Sequence, residues 1–317
     1  MILTVTMNPA YDMTYRVERF ERGQAHRVRS VEQRIGGKGI NVTRVLNQLG
    51  KYARATGFSD YAFAAAAELE MPVDFVHALP WVRRTVVISE SEDGTATALW
   101  EPGARVSNPH AAEQLAVRVA GLLPDIDGLV ISGSLPGGIE PSLPAEIART
   151  AIAADVPTIC DVDGEALRLA TEVPGIVLMP NETELQRLTG MTPKTEDEVV
   201  AAAYPLIDRG VRAVIATRGA EGMVLVTADG AWSAVLPEPL AGNPTGAGDS
   251  ATAAVIAALS DEPDPDWTAI LTDAVATSAA SVVIPVAGEF DRCLRANVAP
   301  TIRVEQLDLP TSQGTAP

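Results

Sequence analysis

The chain has 317 residues, 47% of them hydrophobic, enough to bury one large α/β core with a small appendage. Its formal charge of −17 argues against nucleic acid and anionic membranes as partners, since binding to either depends on neutralising phosphates with Lys and Arg. With only Cys160 and Cys293, and with His26, His77 and His110 in unrelated segments, no Cys/His zinc cluster is available.

No apolar run approaches the roughly 20 residues of a membrane span, and residues 1–7 read as a strand without a basic leader. A soluble, cytoplasmic protein with reduced cysteines is expected. Charge is uneven: residues 1–54 hold ten Lys/Arg against four Asp/Glu. Such a basic segment is either an entry for a small anionic substrate or an ordinary solvated face.

After the first strand, Asn8-Pro9-Ala10 reads as a turn that points Asp12 outward. Alternating stretches at 13–17, 25–33, 85–89 and 95–100 follow, the last two joined across Asp93-Gly94, a hairpin signal. Four short strands with one apolar face cannot fold alone. They predict a small β-sheet lid, drawn from about 12–34 and 82–101, whose apolar face with Val86, Ile88 and Leu99 is covered by the core or by a second subunit. Between the first strands and the hairpin, Ile35-Gly-Gly-Lys-Gly-Ile-Asn41 feeds a helix with Ile40, Val42, Val45, Leu46 and Leu49 as its apolar positions and Gly50 as its cap. It is an anion-binding helix start but not a P-loop, because Gly39 follows Lys38 where Ser or Thr is required.

From residue 110 the pattern is α/β. Helices at 111–123, 143–154, 182–188 and 196–208 alternate with strands at 128–132, 158–162, 176–179 and 213–217. This predicts a mainly parallel central sheet flanked by helices, with ligands at the strands' carboxyl ends. A hairpin at 223–227 and 231–235 turns at Asp229-Gly230, a helix covers 267–281, and residues 310–317 read as a disordered tail.

The chemistry is expected at Gly242-Asn-Pro-Thr-Gly-Ala-Gly-Asp-Ser250, where a glycine turn enters a small-residue helix with one carboxylate, Asp249, at the join. Gly246 and Gly248 can turn consecutive N–H groups toward one point, and the helix start also favours negative charge. A carboxylate beside such a nest makes sense if it takes a proton from a hydroxyl while the nest holds the phosphoryl group under attack. The alternative is a plain turn with Asp249 as helix N-cap.

Seven motifs now stand in order: Asn8-Pro-Ala-Tyr-Asp12, Gly36-Gly-Lys-Gly-Ile-Asn-Val42, Ile131-Ser-Gly-Ser-Leu-Pro136, Asp163-Gly-Glu-Ala-Leu167, Pro180-Asn-Glu-Thr-Glu-Leu185, Gly219-Ala-Glu-Gly222 and Gly246-Ala-Gly-Asp-Ser250. Together they resemble the ribokinase-like carbohydrate kinases, and within them the phosphofructokinase-B branch of 1-phosphofructokinases and tagatose-6-phosphate kinases. The resemblance implies a ribokinase-like α/β domain over 1–309, ATP with Mg²⁺, a sugar or sugar-phosphate substrate, and a homodimer formed through the lid. It makes Asp249 the general base and the N–H groups of Gly246, Ala247 and Gly248 the anion hole. Asp12, Gly37 and Asn41 would hold the sugar, and Lys38 and Arg83 the phosphate already on it. Asn181 and Glu184 would organise Mg²⁺ through water, and Thr217, Gly219 and Gly222 would line the nucleotide side. Plainer roles stay open: Asp12 and Asn41 as local caps, Lys38 and Arg83 as solvated cations, Glu184 as an exposed first-turn acid, Gly222 as a turn residue.

The chain departs from the branch pattern at Met179, where Lys is common, at Thr85 and Val87, where Asn and Lys are typical, at Arg218, usually apolar, and over a shortened segment at 57–71. The reading that results is a hexose-phosphate kinase of the 1-phosphofructokinase kind. The alternatives are a kinase for an unphosphorylated sugar or nucleoside-like alcohol, and a catalytically silent sugar- or nucleotide-binding protein.

Overall fold

A computed structural model describes residues 1–92, 95–262 and 264–310. A ten-stranded sheet is built from β1 (Ile2–Thr6), β4 (Ala53–Ser59), β5 (Val73–His77), β8 (Gly128–Gly133), β9 (Thr158–Val162), β10 (Val177–Leu178), β11 (Ala213–Thr217), β12 (Met223–Thr227), β13 (Ala231–Val235) and β14 (Arg303–Leu307). Its order is β14-β13-β12-β11-β10-β9-β8-β1-β4-β5, parallel from β11 to β5 and antiparallel beyond. The parallel strands are apolar on both faces because helices cover both. Leu3, Val5, Leu129, Ile131, Cys160 and Val214 face one layer, and Ile2, Val130, Ile159, Val177, Ala213 and Ile215 the other. The first layer holds α2 (Tyr61–Glu68), α3 (Ala111–Leu122), α4 (Leu143–Ile152), α5 (Gly164–Ala170), α6 (Glu182–Thr189) and α7 (Glu196–Ile207); the second holds α1 (Lys38–Gln48), α8 (Ala247–Leu259) and α9 (Trp267–Val282).

From β1 the chain winds outward through β4 and β5, then returns to place β8 on the other side of β1. The sheet order reverses there, so the crevice outside the carboxyl ends of β1 and β8 is the natural binding place. The starts of α1 and α8 open onto it, and the two helices pack side by side. Small residues allow this approach: Gly246 to Ala258 of the α8 region are Gly, Ala, Ser and Thr apart from Asp249, Val255 and Ile256.

A separate four-stranded sheet roofs the crevice, in the order β3 (Ser30–Gly36), β2 (Ala10–Val17), β6 (Arg83–Glu90), β7 (Ala96–Trp100). Two expectations need correction here. The break after β1 is confined to 7–9, so β2 begins at Ala10 and carries Asp12 on the cleft face, bonded to the Thr85 hydroxyl, instead of outward. Residues 25–29 form no strand, because the His26 ring accepts from the Glu21 N–H at 3.0 Å and closes a loop; β3 starts at Ser30 and runs on to Gly36. The Asp93-Gly94 turn and the tail 311–317 lie outside the described residues, although β6 and β7 pair as an antiparallel hairpin.

The sequence pattern also passed over β4, α2, β5, α5, β14 and a short α10 (Arg292–Val298). In α2 the run Tyr-Ala-Phe-Ala-Ala-Ala-Ala-Glu offers almost no polar contrast, and β14 is a mostly exposed edge strand. The altered segment around 57–71 is structural: Asp60 caps α2 by accepting from the Phe63 N–H at 2.7 Å, and its other oxygen accepts from the Val82 N–H at 3.1 Å, ahead of β6. No helix among the described residues is long and apolar enough to cross a membrane. Cys160 is buried, Cys293 is exposed, and both are free.

Gly57 shows how closely β1 and β4 approach. It lies at φ 136°, and a Cβ there would be driven into the backbone carbonyl oxygen of Thr6. Gly57→Ala is therefore expected to lower stability by about 2 kcal/mol or more, read as a fall in urea midpoint. Gly121→Ala, in open space near the end of α3, should be neutral or slightly stabilising. Equal midpoints for the two variants would contradict the packing described.

Candidate active site

Two cavities meet in the crevice. One of about 700 Å³ lies under the lid, lined by Asp12, Arg34, Asn41, Arg44, Arg83 and Asp249 among others. The other, of about 930 Å³, lies between the start of α6, the turn at 219–222, the segment 239–244 and α9. Lys38, Trp100, Glu184, Thr217 and Gly248 line both, which places them at the seam. Each cavity is of a size that takes a small organic ligand.

Asp249 sits in the first turn of α8, which begins at Ala247 with Gly246 as its left-handed cap residue at φ 85°. It is therefore not the N-cap. Its carboxylate is buried and accepts a 2.9 Å hydrogen bond from Asn41 Nδ2. Asn41 does not cap α1 either, since Gly37 holds that position without a side-chain bond. The Arg44 guanidinium, one turn along, stands 3.5 Å from Asn41 Oδ1 and fixes which face of the amide meets Asp249. Burial pushes the Asp249 pKa up to about 7; Lys38 opposes the shift and Asp161 adds to it. A carboxyl poised near neutrality suits a general base.

The nest is narrower than expected. Ala247 donates its N–H to the Pro244 carbonyl at 3.1 Å, so of the three expected groups the N–H of Gly246 and the N–H of Gly248 are the ones without a partner among the described residues. The Ser250 and Thr252 hydroxyls donate back to the Gly246 and Gly248 carbonyls at 3.0 Å each, so both hydroxyl protons are used within the helix.

Lys38 and Arg83 line the same cavity, and the Lys38 Nζ donates to Asp161 Oδ1 at 2.8 Å and stands 3.8 Å from Glu184 Oε1. Burial disfavours the ammonium, but Asp161, Glu184 and Asp249 outweigh it and hold the pKa above the ordinary lysine value. Asp161 is the residue sequence reasoning missed at this point. Its signal was a carboxylate inside the otherwise buried strand Thr-Ile-Cys-Asp-Val, where a charge survives only with a partner.

Glu184 is both a helix-start acid and a site residue. Asn181 Oδ1 accepts from the Glu184 N–H and Glu184 Oε2 accepts from the Asn181 N–H, each at 2.9 Å, a reciprocal capping box. That pairing fixes the side chain so that Oε1 faces Lys38. Burial raises its pKa against the pull of Lys38 and the Asn181 N–H. Asn181, Thr217, Gly219 and Gly222 come together around the second cavity.

Under the lid, Asp12 and Arg83 converge as expected, joined by Arg34 and Arg44, which the sequence reading passed over. Burial raises the Asp12 pKa, while the Thr85 hydroxyl and the guanidinium groups of Arg44, Arg83 and Arg34 oppose it. Gly36 is required beneath this carboxylate, since a Cβ would collide with its oxygens. Arg83 keeps a buried Nε without a hydrogen-bond partner, its Nη1 reaching the Glu101 carbonyl only at 3.4 Å. Arg34 pairs with Glu289 at 2.5 Å, tying the lid to the core. Gly37 lines the floor, Val87 the roof, and Met179 is buried against the cleft.

Comparison with known proteins follows the same outline. A family model described as pfkB family carbohydrate kinase matches residues 5–288. The 1-phosphofructokinase of Xanthomonas campestris pv. campestris is 32% identical over 272 residues, covering 82% of this chain and 84% of that protein. Phosphofructokinase-2 of Escherichia coli, solved as a complex with potassium, superposes with a TM-score of 0.85 at 25% identity, covering 94% of this chain and 98% of that one. A possible 1-phosphofructokinase from Thermotoga maritima reaches 0.86 at 24% identity, covering 97% and 100%, and shows the shared fold.

The Asp249 shift has a consequence for stability. Between the unfolded value near 3.8 and the folded value of about 7 the native state binds the extra proton, so stability falls as pH rises through that window. The cost at pH 8 is up to about 4 kcal/mol, three pH units at 1.36 each. Asp249→Asn removes it, so urea unfolding at pH 5 and pH 8 should show the variant gaining on wild type at the higher pH. A difference independent of pH would mean that Asp249 titrates normally.

Proposed function

Because this chain belongs to the pfkB family of carbohydrate kinases, we propose that it transfers the γ-phosphoryl group of ATP to a hydroxyl of a hexose phosphate, as a 1-phosphofructokinase does. The observation that carries this reading is Asp249: a buried carboxyl with a pKa of about 7, held by Asn41 beside the two unpartnered N–H groups of Gly246 and Gly248. The sugar would occupy the cavity under the lid and the nucleotide the second cavity. Asn41 engages one Asp249 oxygen and leaves the other to take the proton from the attacking hydroxyl. The phosphoryl group in transit would meet the N–H groups of Gly246 and Gly248 and the Lys38 ammonium. Phosphoryl transfer asks chiefly for this positioning and charge balance.

Lys38 thus moves in our reading from the phosphate already on the sugar to the phosphate being transferred. Arg83, Arg34 and Arg44 are the cations left for the sugar phosphate, and the unpartnered Arg83 Nε favours an anionic ligand over a neutral one. Magnesium fits as a companion of the nucleotide. No three metal-ligating side chains converge among the described residues, while Glu184 turns one oxygen to the cleft. Such a donor set suits an ion that keeps its waters and rests on phosphates. When bound, it would neutralise charge on the phosphate oxygens, with Glu184 holding it through water.

The outer face of the lid supports pairing of two chains. Tyr11 packs on Phe63, and Met13 and Val17 are buried, but Leu99 remains 56% exposed beside the half-exposed Val86 and Ile88. A second lid laid against this face would complete the cover that the core does not supply. Light scattering at micromolar concentration should return twice the chain mass, and Leu99→Glu should shift it toward the monomer. A wild-type monomer would end this part of the proposal.

ADP release measured across a panel of sugars and sugar phosphates tests the reaction itself. A hexose phosphate such as fructose 1-phosphate should be preferred. Asp249→Asn should lose at least about a hundredfold in kcat with ATP binding retained. Arg83→Ala should raise KM for the sugar phosphate about tenfold, and Lys38→Ala should act mainly on kcat. Preference for an unphosphorylated sugar would replace the hexose-phosphate reading, and no ADP release with any acceptor would leave only a binding protein.

A further inference from the structure

We infer that Arg218, which touches neither cavity, is a positioning residue for the nucleotide. The inference rests on the reading of the second cavity as the nucleotide site. Arg218 follows β11 directly and is 4% exposed, although it carries a full charge. Its Nε donates to Glu182 Oε1 at 3.3 Å, and its Nη2 donates to the Lys194 carbonyl at 3.0 Å and also engages Glu221. Three acceptors in three directions need a guanidinium fork; a lysine could not satisfy them together.

The three partners belong to different walls. Glu182 is the first residue of α6, Glu221 lies in the turn that carries Gly219 and Gly222, and Lys194 lies between α6 and α7. The neighbouring backbone supplies one further tie, from the Thr217 N–H to the Pro180 carbonyl at 3.0 Å. The turn closes on itself through Arg218 N–H to the Gly222 carbonyl at 2.8 Å. Arg218 therefore couples the orientation of the Asn181 to Glu184 cap to that of the glycine turn opposite.

Charge gives the second half of the role. The wall of the second cavity presents Glu182, Glu184 and Asp163, along with the cations Lys38 and Arg187, to a ligand that is itself a polyanion. Glu184 is already turned to Lys38 and to the Asn181 N–H. Glu182 is 47% exposed on the cavity side, and Arg218 is the cation that holds it back and balances it. Without that bond the carboxylate would swing free at the very helix start whose N–H groups and dipole favour phosphate.

Arg218→Met keeps the length and removes the charge. Glu182 and Glu221 are both partly solvated, so their loss of a partner does not leave a buried charge. KM for ATP should rise about tenfold, while kcat and KM for the sugar phosphate change less than about threefold. Arg218→Lys should fall between. Adding Glu182→Gln to Arg218→Met should bring KM for ATP back to within about threefold of wild type, a rescue that a merely structural arginine would not give. A lower Tm with unchanged KM for ATP would overturn the inference, as would parallel rises in both KM values or failure of the Gln rescue. Calorimetry on the wild type comes first: no ATP binding there would overturn the reading of the cavity and this inference with it.

Discussion

Everything in the crevice depends on one buried charge balance, the Lys38 ammonium set among Asp161, Glu184 and Asp249. Three carboxylates drawn toward one seam repel one another, and burial raises the pKa of each. Lys38 is the counter-charge that allows them to stay close, and they in turn keep Lys38 protonated. The balance is not complete, however. Lys38 bonds directly to Asp161 and lies near Glu184, whereas Asp249 feels it only through space. Asp249 is thus left with one Asn41 hydrogen bond against full burial, which pushes its pKa up to about 7.

The fold supplies this balance by bringing two helix starts together at the reversal of sheet order. α1 contributes Lys38 and Asn41, spaced three apart so that both point to the crevice, and α8 contributes Asp249 in its first turn. Close packing of α1 on α8 is what closes the Asn41 to Asp249 bond across 208 residues of chain. A buried hydroxyl pair, Thr4 with Thr43 at 2.7 Å, ties α1 to β1 on its other side. Rigid elements on both sides hold the amide and the carboxylate in register, a better basis for chemistry than two loops would be.

Legibility in the sequence followed the range of the interaction. The start of α8 and the place of Asp249 in its first turn were readable because glycine, carboxylate and helix lie within five residues. The parallel sheet was readable because alternation of strand and helix is itself a local pattern. The pairing of Lys38 with Asp161 was not readable because the two are 123 residues apart and Asp161 is hidden within a strand that reads as core. Arg34 and Arg44 were passed over for the same reason: Arg34 is an ordinary arginine until the lid register sets it opposite Asp12, and Arg44 until α1 brings its charge toward the same carboxylate. The early strand limits failed at Ala10 through a long-range pairing with Arg83, and at residues 25–29 through the local loop that His26 closes on Glu21.

The departures from the branch pattern look different once placed. Thr85 stands where Asn is typical, yet its hydroxyl still donates to Asp12, so the polar contact is kept by a shorter side chain. Met179 stands where Lys is common, and it is buried in the core beneath the cleft, so a lysine there would have to lie among Val177, Ile215 and the α8 helix or reach past them. Arg218 is the converse change, a cation where an apolar residue is usual. The two positions follow β10 and β11, adjacent strands whose continuations are bridged at Asn181 and Thr217. Met179 meets the cavity under the lid, whereas Arg218 lies behind the wall of the second cavity and restrains an acidic neighbour, Glu182. The two positions together carry the same formal charge as a lysine with an apolar residue, but here the charge is buried against Glu182, and the electrostatics of that wall depend on how firmly α6 is held.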